Sequence, residues 1–407
     1  MASISENDKP SLPRPAAARE LPTVAHVHAA FLPPTEHWIC RLTAGVGGFR
    51  HIALSARRTA GHLPACDHVR HLSHGLEAPA AERHSPSRSR RYRAAFRIAY
   101  AGGLPAAALR KLAAEEIQPD VVHVHFGDVA WRWRRLISRL DAAVVVSFYG
   151  YDYATLPRLD QRWRDRLAWV FAKADLLIAE GPHAAGRLVD LGADEAKVRV
   201  VNLGTGIPPA PALPPPLGRH FLQVATLKEK KGQLDTLAAF NRLAADHPDA
   251  RLTLVGGDNG SAYAKTVRDA ADASAYAARI RWRPFVPAAE LPTLFAEADY
   301  FVQPSVTAAD GDSEGGAPVA LLDAQAYGLP VIVSDHCDLP FVSADLGWNR
   351  PVPAGDVEAL NRAMAVGLGR TKAQRLRDRE QTRAFAAASL DVRRWSAVLE
   401  EAYRSLI

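Results

Sequence analysis

Short apolar runs alternate with longer stretches of helical period along almost the whole chain, the pattern of parallel strands joined by crossover helices. Runs at 24–31, 51–55, 120–126, 143–148 and 174–180 read as strands of one sheet. Runs at 220–226, 252–257, 280–286, 300–303 and 330–334 read as strands of a second. Between the two series lies PPAPALPPPLG, residues 208–218, whose prolines fix φ and remove backbone donors, so it reads as a semi-rigid connector. Helices are predicted near 262–275, 357–367, 372–387 and 391–406. The pattern gives an α/β protein with a polar tail over 1–20, a first domain over 21–207, the connector, a second domain over 219–387 and a closing helix over 388–407.

Composition narrows this picture. A length of 407 residues allows two domains with separate cores, and 48% hydrophobic with 23% charged residues describes a globular chain. No run approaches ~18 uncharged apolar residues, so no membrane-spanning helix is expected. The start, MASISENDKPSLPRPAAARE, lacks the apolar core of a signal peptide, which leads to an expected cytoplasmic location. Cys40, Cys66 and Cys337 have no metal-ligand spacing and are expected as free thiols. The formal charge of +6 permits an anionic partner without naming one. Arginines concentrate between Arg83 and Arg97, RHSPSRSRRYRAAFR, with Tyr92 and Phe96 at helical spacing. Such an element suits either an anionic membrane surface, at the inner face of the membrane, or plain solvent. Without a nucleic-acid-binding motif beside it, a nucleic-acid partner is not expected.

Candidate chemistry gathers in the second half. In FLQVATLKEKKGQLD a strand runs into Lys228, Lys230, Lys231 and Gly232 and then a helix, which places ammonium groups where a diphosphate is stabilised. In SVTAADGDSEGGAPVALLDAQAYGLPVIVSD, Glu314 precedes Gly315, Gly316 and Ala317, and Pro318 reads as the first helical residue. The glycines let backbone approach a ligand, and first-turn amides favour an anion. A capped core helix and a solvated lysine turn are the plainer readings of these two stretches. In the first half, FLPPTEHW places Thr35 and Glu36 beyond a strand end, where ligands of open sheets collect, although either can simply start the next helix. DVVHVHF ends in His125, and the following strand ends in Tyr149-Gly-Tyr-Asp152. Alternation along the strand also allows one of His123 and His125 to be a satisfied core residue.

The stretch EGGAPVALLDAQAYGLPV resembles the glutamate-to-glutamate motif of the retaining GT-B glycosyltransferases of family 4, usually E-G-x-x-x-x-L-L-E-A-x-A-x-G-x-P-V. FLPPTEHW, HVHFG and LKEKKG are similar to other motifs of that family. The likeness covers nearly everything from residue 24 onward and implies two Rossmann-like domains facing across a cleft, with the last helix packing back on the first. It also implies transfer of a sugar from a UDP or GDP sugar to a lipid-linked or small-molecule acceptor in surface polysaccharide or glycolipid assembly. Neither metal nor further cofactor is implied, although Asp310-Gly-Asp312 has metal-ligand spacing. Carried over residue by residue, Lys231 clamps the leaving diphosphate with Thr226 and Lys228 beside it, and the amides of Gly315, Gly316 and Ala317 complete the clamp. Glu314 orients sugar hydroxyls, Asp323 binds ribose, and Phe285 and Val286 hold the base through backbone. His125 and Tyr149 stand by the sugar, with Thr35, Glu36 and Asp152 on the acceptor side. Three departures stand out: Tyr149 replaces a histidine, Thr226 an arginine and Asp323 the second glutamate, with one extra residue between the carboxylates. A nucleotide-sugar epimerase of the same shape and a non-catalytic binding subunit are the alternatives.

Overall fold

The computed structural model describes residues 21–29, 37–55, 69–72, 104–209, 218–257, 260–284, 286–316 and 318–407. The tail, Thr35, Glu36, Arg83 to Arg97, most of the connector, Phe285 and Ala317 lie outside the described residues.

Seven parallel strands form the first sheet: β1 Thr23–His28, β2 Arg50–Ser55, β3 Val69–Leu72, β4 Val121–His125, β5 Ala143–Phe148, β6 Leu176–Ala179 and β7 Val198–Val200. Their order is β3-β2-β1-β4-β5-β6-β7. The second sheet contains β8 His220–Val224, β9 Arg251–Val255, β10 Ile280–Arg283, β11 Tyr300–Gln303 and β12 Val331–Val333 in the order β10-β9-β8-β11-β12. In both, strand order reverses beside the first strand, which opens a crevice at the carboxyl ends.

Side-chain alternation decides what each face carries. On β1, Ala25 and Val27 join one core with Val122 and Val124 of β4 and Val144, Val146 and Phe148 of β5. Their neighbours Val24, Val121 and Val145 face the other side and pack with Leu399, Ala402 and Tyr403 of the last helix, Val392–Arg404. That helix therefore covers the first sheet, as the family likeness implies. Asp391 caps it, and an isolated bridge joins Asp391 to Thr205.

Several predicted ends move. Predicted strand 24–31 stops at His28, and predicted strand 280–286 stops at Arg283. Pro318 is the N-cap of helix Val319–Ala326 rather than its first residue, since its ψ of 115° is extended. Cys40 is disulfide-bonded whereas Cys337 is a free thiol, which corrects the expectation of three free thiols. Separation along the sequence carried no information on that pairing. Among the described residues no helix is long and apolar enough to cross a membrane.

Candidate active site

The Lys-Lys-Gly turn and the Glu314 loop meet beyond the carboxyl ends of β8 and β11. Lys231 Nζ donates to both carboxylate oxygens of Glu314 at 2.6 Å. Ser305 Oγ adds a hydrogen bond to Glu314 at 3.0 Å, and Lys230 Nζ binds Asp312 at 2.9 Å and the Ser313 carbonyl at 2.7 Å. Burial opposes the charge on Glu314, yet Lys231 and Lys230 outweigh it and hold the carboxyl below its ordinary range. Gly232 makes the turn: its φ is 66°, and a Cβ there would stand 2.1 Å from the Pro304 carbonyl oxygen.

The first domain closes over this loop. Gly150 has φ 98°, and a Cβ on it would reach 2.9 Å from Gly315 Cα, so both the turn and the contact demand glycine. Glu180, following β6, accepts the Gly316 amide hydrogen at 2.6 Å and is 4% exposed. Burial, then Asp338, Asp152 and Glu314, push its carboxyl up to about 8 despite that hydrogen bond. From the second domain Asp338 accepts from the amides of His183 at 2.7 Å and Ala184 at 3.0 Å, capping helix Pro182–Asp190 of the first.

Beside the cleft, five histidines are buried on one face of the first sheet: His26 and His28 on β1, His51 on β2, His123 and His125 on β4. Parallel register sets His26 opposite His123 and Val24 opposite His51, which puts His51 on the same face one pair of residues back along β2. The bonds run in one direction. The Val46 carbonyl accepts from His51 Nε2 at 2.9 Å, so His51 Nδ1 is an acceptor in the neutral ring. For neutral rings the pattern propagates: His26 Nε2 donates to His51 at 2.9 Å, His125 Nε2 donates to His26 at 3.1 Å, and the Tyr149 hydroxyl donates to His125 Nδ1 at 2.7 Å. In a second run on the same face, Tyr403 donates to His123 Nδ1 at 2.5 Å and His123 Nε2 to Ser147 at 2.7 Å. Burial supports neutrality, lowering His51, His125 and, to about 3, His123. Nitrogens of His26, His123 and His125 lie within 4.8 Å of one another, a spacing that a metal also uses. Here both nitrogens of each ring are engaged in the hydrogen-bond chain instead.

Comparison with known proteins follows the same division. Residues 52–205 match the model of "Glycosyltransferase Family 4" and residues 215–378 that of "Glycosyl transferases group 1", one for each half. The chain belongs to family 4 of the GT-B glycosyltransferases. It is 32% identical over 250 residues to the amylovoran biosynthesis glycosyltransferase AmsK of Erwinia amylovora, covering 59% of each chain. With WcaL of Escherichia coli K12, named for colanic acid biosynthesis, it shares 29% over 259 residues and 62% of each chain. The chain thus spans about three-fifths of the length of these relatives. In fold it is similar to sucrose-phosphate synthase of Thermosynechococcus elongatus, at TM-score 0.70 and 16% identity over 95% of this chain and 99% of that one. HepE of Anabaena in complex with UDP-glucose is similar at TM-score 0.69 and 14% identity over 94% and 99%.

Within the cleft the singled-out residues do not all converge. Glu314, Lys231, Gly315 and Gly316 come together, and Lys228 joins through Asp312 at 3.9 Å. The Thr226 carbonyl accepts from Gln233 at 2.9 Å, and Val286 is buried in the core between the domains. Asp323 is engaged elsewhere, by Arg41 at 2.9 Å and Thr205 at 2.5 Å. Asp152 is buried and orders backbone, accepting from Gly127 at 2.9 Å and Tyr149 at 3.1 Å. The Tyr149 phenol spends its hydrogen on His125, so it is not a free donor toward a sugar beside it. Sequence reading missed Glu180, Asp338, Arg41 and Tyr403. Glu180 alone left a trace, as an acid ending the apolar run LLIAE.

Proposed function

We propose that this glycosyltransferase moves a sugar from a UDP or GDP sugar to an acceptor hydroxyl, lipid-linked or small, in assembly of a surface polysaccharide or glycolipid. The transfer retains anomeric configuration and needs no metal. One observation carries the reading: Lys231 and Glu314 form a pair next to Gly315 and Gly316 at the crevice between the domains. Neighbours solved with UDP and UDP-glucose support a nucleotide sugar, and a relative named a GDP-mannose-dependent mannosyltransferase keeps guanine in play. The names of AmsK and WcaL support a polysaccharide product.

In this mechanism the donor replaces part of the Lys231–Glu314 pairing. Lys231 turns its ammonium to the leaving diphosphate, whose growing charge it stabilises, and Glu314 becomes free to take hydrogens from sugar hydroxyls. The Gly316 amide passes from the Glu180 carboxyl to a phosphate oxygen. Glycines at 315 and 316 let that oxygen approach the backbone.

Incubation with a panel of UDP and GDP sugars, followed by mass analysis of released sugar and nucleotide, tests the reading. Nucleotide release from a defined donor is expected. Tight nucleotide binding with no release from any donor would leave a binding subunit, and an epimerised sugar would leave an epimerase.

A further inference from the structure

The two oxygens of the buried Glu314 carboxylate have different surroundings. Among the described residues Oε1 receives the Lys231 ammonium alone, at 2.6 Å. Oε2 receives Lys231 at 2.6 Å and also the Ser305 hydroxyl at 3.0 Å, with Gln303 Nε2 at 3.5 Å. Gln303 ends β11, Ser305 follows two residues later, and both are buried. Gln303 Nε2 donates in turn to Ser305 Oγ at 2.7 Å. The carboxylate fixes this direction. A carboxamide turned the other way would set its own oxygen against Oε2, and an amide nitrogen accepts no hydrogen, so the one hydroxyl hydrogen of Ser305 goes to Glu314. Beyond β12 the Ser334 hydroxyl donates to the Ser305 carbonyl at 2.6 Å and holds the backbone beneath the pair. Gln303 Oε1 has no donor in its buried place, a cost that an apolar side chain filling the same space would not carry.

We propose that Ser305 and Gln303 are positioning residues that hold Oε2 of Glu314 while Lys231 turns to the diphosphate, so that the sugar meets a single oxygen, Oε1. The inference rests on the donor site proposed above. Burial opposes the charge on Glu314, and Lys231, Lys230 and the Ser305 hydroxyl oppose burial. When the Lys231 ammonium points at phosphate, the largest of these supports leaves the carboxylate and the diphosphate adds negative charge nearby. Lys230 is already held by Asp312 and the Ser313 carbonyl. Two neutral donors on a strand end then keep the carboxylate ionised and aimed. The other charged or titrating groups that face Glu314 are Lys228 on the turn, Glu180 from the first domain, and His336 and Cys337 beyond β12.

A double-mutant cycle, run with the donor that the sugar panel identifies, tests this. Ser305→Ala should lower kcat by about tenfold and leave UDP or GDP affinity within about threefold, the scale of one hydrogen bond to a charged group. Gln303→Met, close in shape and without a donor, should lower kcat in the same sense. In a Glu314→Gln background each should cost less than about threefold more, because both act through that carboxyl. Carbon NMR of labelled glutamate, assigned by the signal that Glu314→Gln removes, gives a readout without turnover. In Lys231→Ala, which takes the ammonium away, adding Ser305→Ala should raise the Glu314 titration by about one pH unit. A change of packing alone moves neither the coupling nor the titration. Equal losses of kcat with and without the Glu314 carboxyl, nucleotide affinity that falls in step with kcat, or a Glu314 titration that ignores Ser305→Ala overturns the proposal. Full turnover in Glu314→Gln by itself would overturn the donor site, and the proposal with it.

Discussion

The carboxyl group of Glu180 accepts the amide hydrogen of Gly316 at 2.6 Å, so a first-domain acid occupies a backbone donor beside Glu314 and Lys231. That amide belongs to the glycine pair assigned to the donor diphosphate, and an oxygen of the Glu180 carboxyl, kept largely neutral near pH 7 because burial raises the group to about 8, competes with a phosphate oxygen for it. Replacing the carboxyl removes the competitor. Glu180→Ala should therefore tighten UDP or GDP binding by roughly threefold to tenfold, on the scale of one net hydrogen bond. Titration calorimetry on the variant checks this, and weaker nucleotide binding would mean that Glu180 holds the donor instead of standing in its place.

Stability should fall as pH rises above neutral. Glu180 is raised to about 8 and Asp152 to about 7, each mainly by burial. A carboxyl raised by folding contributes stability that is complete below its unfolded value and is lost as pH passes through its folded one. His51, His123 and His125 are lowered, chiefly by burial, and work in the opposite sense, losing their contribution as pH drops below about 6.5. Between pH 6.5 and 8.5 only the carboxyls of these two groups act, so the melting temperature should decline there. Glu180→Gln should flatten that decline, and an unchanged slope would exclude Glu180 as its source.

Tyr403 on the closing helix heads the hydrogen bonds that run through His123 to Ser147. Tyr403→Phe leaves His123 Nδ1 without its donor in a buried place, at a cost of about 1–3 kcal/mol. Denaturant unfolding measures that loss. Nitrogen NMR of labelled histidine gives the sharper test: His51, His26 and His125 should all carry hydrogen on Nε2. A hydrogen on Nδ1 of His125 would reverse the direction of the chain and return the Tyr149 hydroxyl to the cleft.

Legibility in the sequence followed the range of the interaction. Strand and helix identities came from local period, and the run from β8 through Lys231 to Gly232 reads the same in sequence and structure because strand, turn and helix are contiguous. Glu314 was found because its glycines sit beside it. Glu180 and Asp338 were missed because their partners, Gly316 and His183, lie 136 and 155 residues away. Histidine alternation was visible in AHVH and in VHVH, yet only the pairing of β1 with β4 puts the two rows on one face. Asp323 carried the family's motif, but its engagement by Arg41 depends on helix His37–Ala44 of the other domain.

Turnover and nucleotide affinity measured together in Lys231→Ala and Glu314→Gln test the central claim most directly. Lys231→Ala should weaken nucleotide diphosphate binding and turnover alike. Glu314→Gln should lower turnover by about 10²-fold while leaving nucleotide affinity within a few-fold. Equal loss of affinity and turnover in Glu314→Gln, or full activity in either variant, would contradict a shared donor site.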